Sequence, residues 1–337
     1  MRGFLIALAV VLLMVLAVAG GLWWFIWWNI SKASKEVDAA LLKQMELREL
    51  PLQQVAFETK PVGGEAVRKL TISNPFGSVE VVAGEGPVSL ETKTFLPGNT
   101  VDEARRLGVP VEVRSETTPE GEAKIEVVPI KDTPVLDVMI LDLKLKAPAA
   151  TAVSVEVTAG EAKVSGITGG VEARGQSGKV TVSECKGSVT ASTTAGDLRI
   201  GNSSGAINAN TSSGALLMDD VSGAVTARTM DRMVNVAVTR SEKVVVGTMS
   251  GAIDVKVKAP FSGQMEVSSK SGDIAVALPS RSNCRVRAMT NTGPITCTLP
   301  LSEVERAGPN VSGQLGAGQG HVEVSNDSGA ITVKPLK

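Results

Sequence analysis

The chain of 337 residues contains no tyrosine, one histidine, three cysteines and four tryptophans, and every tryptophan lies before residue 29. Each shortage removes a class of function. The remainder lacks the rings on which single-stranded nucleic acid stacks, and the Tyr and Trp side chains that most often anchor protein interfaces. A formal net charge of −1 offers no basic field to a phosphate backbone, so no nucleic-acid partner is expected. A catalytic triad or a His-based metal cluster cannot be assembled from the single His321. That residue follows Gly320 at an outward position beside a strand and reads as an exposed strand residue. Cys185, Cys284 and Cys297 contain no CxxC motif, and their odd number argues against a disulfide framework. Cys185 and Cys297 fall at inward positions, where packing is the default role. A Cys284–Cys297 bridge is compatible with an oxidising compartment. No cofactor is expected.

What the chain does have is glycine at fixed spacing. From Gly160 the residue recurs at 169, 178, 187, 196, 205, 214 and 223, each step nine residues, although glycine fills only about one position in ten of the chain. Two and four places after each glycine stand apolar residues, with polar or small ones between: Ala162/Val164, Val171/Ala173, Val180/Val182, Val189/Ala191, Leu198/Ile200, Ile207/Ala209, Leu216/Met218 and Val225/Ala227. Alternation of period two puts each pair on one face of a short strand. Glycine is expected to supply the positive φ of a tight corner.

A longer period lies over the first. Ala occupies the second inward place at 173, 191, 209 and 227, in steps of eighteen, and Ile167, Cys185, Ser203 and Val221 form another column with the same step. Two unlike nine-residue units therefore make one turn. This predicts an all-β, two-sheet parallel β-solenoid of about eighteen residues per coil, in which each coil buries its inward face against its neighbours. Calcium-binding nonapeptide rolls need Gly-Gly-x-Gly-x-Asp in each unit, which is absent, and a three-sided coil of twenty-seven conflicts with the Ala spacing. Beyond Val236, Gly251, Gly272 and Gly293 are twenty-one apart, which predicts some 21-residue coils with one longer corner. A Gly- and Pro-rich loop after Pro300 is expected to lead to one last coil between Gly320 and Val333.

Four regions follow. Residues 1–30, almost continuously apolar from 3 to 28, are long enough to span a bilayer and are expected to be a transmembrane anchor. Trp23, Trp24, Trp27 and Trp28 share one helix face and fit an interfacial belt. Ala17-Val18-Ala19 has the form of a signal-peptidase site, but the apolar run continues past it, which favours an uncleaved anchor. Residues 31–66 are a juxtamembrane helix and linker, with Val37, Leu41 and Met45 at four-residue steps and Pro51 ending the helix. Residues 67–147 are a β region capping the coil, with a short helix at 99–108 and a hairpin around Glu120-Gly121. Within it, Asn74 to Leu90 follows the same grammar, with Gly77 and Gly86 heading Val79/Val81 and Val88/Leu90. Residues 148–337 are the solenoid.

The run Asn74-Pro75-Phe76-Gly77-Ser78-Val79-Glu80-Val81, the Lys-Ala-Pro before a strand at 146–148 and 258–260, and the serial Thr-x-Ser/Ala-Gly units resemble a bacterial family of β-strand-repeat proteins labelled putative adhesins, a domain of unknown function. The resemblance covers roughly residues 66–335. It implies a single N-terminal membrane segment with the repeat domain outside the cytoplasm, and it brings no catalytic residues. The chain departs from the pattern in its long Trp-rich anchor and in Arg232, which replaces a corner glycine.

Two outward surfaces are candidates for function. On the first sheet, Glu161, Lys179, Asp197 and Lys163, Thr181, Arg199 alternate in sign at the eighteen-residue step, the pattern of a solvated charge ladder. On the second sheet, Ser188, Thr190, Ala206, Asn208, Ala224 and Thr226 make a flat, small, uncharged face, expected to contact a glycan or another envelope protein. Asp219-Asp220 at a corner could bind a cation, though adjacent acids in a turn are usually solvated. The favoured reading is a membrane-anchored, extracytoplasmic binding or scaffolding protein without catalysis. The alternatives are a carbohydrate-active enzyme using outward carboxylates, and an envelope-stress signalling accessory.

Overall fold

The computed structural model describes residues 32, 42–63 and 67–336. The anchor expected at 1–30, with Trp23, Trp24, Trp27 and Trp28, lies outside the described residues. Among the described residues no helix is long and apolar enough to cross a membrane. Residues 42–49 are helical. In that helix the side chain that enters the core is Leu47, while Met45 is exposed; Val37 and Leu41 lie outside the described residues.

Among the described residues, the regular elements downstream are strands, apart from the helix Val101–Leu107 and a 3-10 turn at Pro134–Asp137. The strands join in two parallel ladders. In one, Ala162, Val180, Leu198, Leu216 and Val234 are successive register partners. In the other the sequence is Val153, Val171, Val189, Ile207 and Val225. Every step is eighteen residues. Ala173, Ala191, Ala209 and Ala227 stand beside one another in that register, which a twenty-seven-residue coil would not allow. The inward pairs from Ala162/Val164 to Ala227 are buried, and so is the column Ile167, Cys185, Ser203, Val221. Burying each Val, Leu or Ile of such a slab contributes roughly 1.5–3 kcal/mol.

The corner glycines divide: Gly160, Gly205 and Gly223 have the positive φ expected of them, at 113°, 119° and 98°. Gly178, Gly196 and Gly214 do not have positive φ. They are glycine because the chain packs against the preceding coil: a Cβ on Gly178 would lie 1.7 Å from the Gly160 carbonyl oxygen, and one on Gly196 would lie 2.1 Å from that of Gly178. The left-handed conformation recurs in another column, Gly166, Glu184, Asn202 and Asp220, at φ of 76°, 57°, 49° and 52°. Each of these turns the backbone so that the next residue, Ile167, Cys185, Ser203 or Val221, points inward.

The register then lengthens. Val234 pairs with Ile253 and Val225 with Val244, nineteen residues on, before Ile253 pairs with Ile274 and Val244 with Met265, twenty-one on. At both ends, spatial order departs from chain order. The strand Ile331–Pro335 pairs with Ile274–Leu278 and Ile295–Cys297, so the last coil of the sequence is inserted between two earlier ones. Likewise Lys69–Asn74 lies between Glu122–Pro129 and Ala152–Ala159. The stretch after Pro300, expected to be a loop, is an antiparallel hairpin of Ser302–Ala307 and Asn310–Leu315. Nor do Val88 and Leu90 form a coil arm. Ser89–Pro97 runs antiparallel to Ile140–Ala147 and to the edge strand Leu52–Pro61.

Candidate functional site

The uncharged face is built by the second ladder. Thr190, Asn208 and Thr226 are consecutive register partners, as are Ala206 and Ala224. Ser188 precedes Val189, the partner of Ile207. Since neighbouring strands lie about 4.8 Å apart, these six side chains occupy three coils of one flat surface. All are exposed except Thr226, which is half-buried. Asn210 Nδ2 donates to Asn208 Oδ1 at 3.1 Å, which orients that amide. On one side charge resumes at once, with Glu172, ion-paired with Arg174, as the register neighbour of Thr190; on the other, Val245 is the neighbour of Thr226 and Glu266 follows one coil later. The face offers hydroxyl and amide groups that donate and accept hydrogen bonds. It holds no titratable group for acid–base chemistry.

The first ladder carries its charges in a partly different arrangement from the expected ladder. Lys179 reaches Glu161 at 3.4 Å, which also accepts from Thr181 Oγ1 at 2.9 Å. Asp197, however, accepts from the Ala215 amide at 3.0 Å, and Lys163 reaches down the stack to Glu80 at 2.9 Å, where Lys144 also lies at 3.3 Å. With side chains this exposed, each pair is worth about 0–1 kcal/mol. Glu80, Glu91, Asp142 and Glu161 line a trough of about 310 Å³ together with Lys93, Lys144 and Lys163. The hydrogen bond from Lys163, with a smaller contribution from Lys144, holds the Glu80 carboxyl below its ordinary range. A glycosidase needs the opposite, one carboxyl kept protonated near neutrality.

The Asp219-Asp220 corner meets the Lys258 ammonium, which is hydrogen-bonded to Asp220 and 3.7 Å from Asp219. Lys258, and then Thr239, lower the Asp220 carboxyl below its usual value. Among the described residues no group of three His, Cys, Asp or Glu side chains is placed to hold a metal ion. The same corner opens a notch of about 620 Å³ lined by Asp220, Thr239, Arg240, Ser241, Glu242 and Lys243, together with Gly223 and Ala224. Sequence reasoning missed it. Its only signal was the single residue added where the register passes from eighteen to nineteen.

His321 is half-exposed on the second ladder, with Nε2 3.6 Å from Glu323. The three thiols are free: Cys185 and Cys284 are buried, and Cys297 is partly so. Burial pushes all three up, Cys284 to about 11.

Residues 188–334 match the family model described as Toastrack DUF4097, which bears out the likeness to a putative-adhesin domain family of unknown function for that part of the chain. The run Asn74–Val81 lies outside the match. Among solved structures, the chain is similar to a putative cell adhesion protein from Clostridium sporogenes ATCC 15579, at 12% identity over 83% of this chain and 99% of that one, with a TM-score of 0.27. It is similar to a putative adhesin from Bacteroides fragilis NCTC 9343, at 12% identity over 86% and 99%, with a TM-score of 0.30. It is similar also to a putative lipid binding protein from Parabacteroides distasonis ATCC 8503, at 10% identity over 83% and 97%, with a TM-score of 0.25. No curated protein matches the chain.

Proposed function

We propose that this chain is a non-catalytic binding module of the cell envelope, tethered by its N-terminal apolar segment with the coil outside the cytoplasm. In this reading Ser188, Thr190, Ala206, Asn208, Ala224 and Thr226 receive a glycan or another envelope protein. One observation carries it: three coils in strict register give a flat, neutral, hydrogen-bonding surface, bordered by Glu172 on one side and by Val245 on the other. Such a surface excludes partners that rely on ion pairing and favours many weak, additive hydrogen bonds. The test is co-sedimentation of the full chain with isolated envelope material, before and after protease or periodate treatment. Thr190→Arg/Asn208→Arg/Thr226→Arg should abolish binding while leaving the circular dichroism spectrum unchanged. Unaltered binding by that folded variant would contradict the assignment.

In the trough at Glu80 and Glu161, acids gather in the manner of a carbohydrate-cleaving site. Its lysines stabilise ionised carboxylates, so it supports cleavage poorly. Release of reducing ends by the wild type, lost in Glu80→Gln, would favour that alternative.

A further inference from the structure

We infer that the N-terminal end of the coil rests on the surface of the lipid bilayer, with exposed apolar side chains seated in the headgroup layer. This rests on the membrane tether proposed above. Of the eleven large apolar side chains exposed among the described residues, seven lie between residues 42 and 130. Leu47 pins the helical residues 42–49 to the core, and Gln44 Nε2 donates to Asp137 Oδ2 at 2.8 Å. At 3.6 residues per turn, Leu42 and Met45 lie about 140° and about 160° around the helix from Leu47. They therefore face away from the protein, and both are more than 60% exposed.

Leu52 and Phe57 belong to the edge strand Leu52–Pro61, whose partner among the described residues is Ser89–Pro97. Phe57 stands opposite Lys93 on the outward side and is 54% exposed. Val109 and Ile130 flank the open end of the hairpin Val111–Thr117 and Glu122–Pro129, which begins the second ladder. So the first edges of both ladders and the capping helix carry exposed apolar groups, interspersed with Lys43, Arg48 and Lys131 and with the acids Glu46, Glu49, Glu58 and Asp132, while Lys60 Nζ donates to the Val113 carbonyl at 3.3 Å. That mixture suits a headgroup layer, where apolar tips insert and lysine stems snorkel.

The occupant follows from where the chain enters. The apolar run 3–28 ends fourteen residues before Leu42, and fourteen residues span at most about 50 Å. So short a tether holds this end at high local concentration near the bilayer, where weak contacts suffice. A groove for a second copy would be continuous, whereas these groups are divided among the helix 42–49, the edge strand Leu52–Pro61 and the ends of the hairpin Val111–Pro129.

The experiment uses the full chain in phosphatidylcholine liposomes, in a Cys297→Ser background. Single cysteines at Met45→Cys, Phe57→Cys and, as the distal reference, Val304→Cys carry an environment-sensitive fluorophore. Nitroxide-bearing lipid should quench the labels at 45 and 57 at least twofold and leave 304 unchanged. If all three report water while the chain resists carbonate extraction, the tether stands and this inference falls. Extraction by carbonate would remove both. A fluorescence shift that depends on protein concentration and ignores the quencher would assign the surface to a second copy and overturn the inference.

Discussion

The buried Thr211 hydroxyl donates to the carbonyl of Gly196 at 3.3 Å, spanning from one arm of a coil to the corner it has left fifteen residues before. The same bond joins Thr193 to Gly178 at 3.1 Å and Thr229 to Gly214 at 3.3 Å. A column of hydroxyls thus satisfies a column of corner carbonyls that would otherwise be stranded beside an apolar slab. Thr211→Val keeps the shape and removes the donor. It should lower stability by about 1–3 kcal/mol, read as a shift in the urea midpoint with the far-ultraviolet spectrum intact.

Close approach and backbone conformation are separable at the corners. Gly196→Ala puts a methyl 2.1 Å from the Gly178 oxygen, and no flexible side chain is there to move. The coil must open, at a cost of roughly 3 kcal/mol or more. Glu184, at φ +57°, gains about 1–2 kcal/mol of relieved strain on replacement by glycine, offset by the greater entropy of the unfolded chain. Glu184→Gly should therefore change the thermal midpoint little, and its sign should be neutral or upward.

Ile200 is fully buried at the centre of the eighteen-residue coils. Ile200→Asp leaves either a charge in the slab or a carboxylic acid without a partner, at several kcal/mol. Limited proteolysis should cut this variant within the repeats under conditions that leave the wild type whole.

Cys284 is buried, and desolvation raises its thiol from an ordinary 9.0 to about 11. The fold therefore holds this proton more tightly than the unfolded chain does. The stability it contributes is complete below pH 9 and is lost as pH rises towards 11. Thermal midpoints measured from pH 8 to 11 should fall, and Cys284→Ala should flatten part of that fall. Cys185 and Cys284 should also resist thiol reagents at pH 8 until the protein is unfolded.

Much of this architecture was legible because period-two alternation and an eighteen-residue step are local, additive signals. Val180/Val182 and Leu198/Ile200 announce their own inward face, and Ala191 beside Ala209 announces the register. The reason for each glycine was not legible. Spacing alone cannot tell a Gly178 that makes room from a Gly205 that adopts φ +119°. The left-handed column hid because Glu184, Asn202 and Asp220 fill it after Gly166, and polar residues there look like ordinary turn composition. Strand insertion at the ends was also hidden, since Ile331 carries no mark that it will lie between Ile274 and Ile295. The hairpin at Ser302–Leu315 passed for a loop because Gly308-Pro309 forms its turn and Gly313 interrupts its second strand. Of the candidate face, the columns were legible and the corner notch at Asp220 and Lys243 was not, since one inserted residue leaves little trace in a periodic pattern.

Oxidative cross-linking across the stack tests the central claim most directly. Thr190→Cys/Asn208→Cys places thiols on adjacent coils, and Thr190→Cys/Thr226→Cys places them two coils apart, at about 10 Å. Under mild oxidation with peptide mapping, the eighteen-residue pair should link within the chain and the thirty-six-residue pair should not. Equal linking of both pairs, or failure of the first in a folded protein, would contradict the coil and the face built on it.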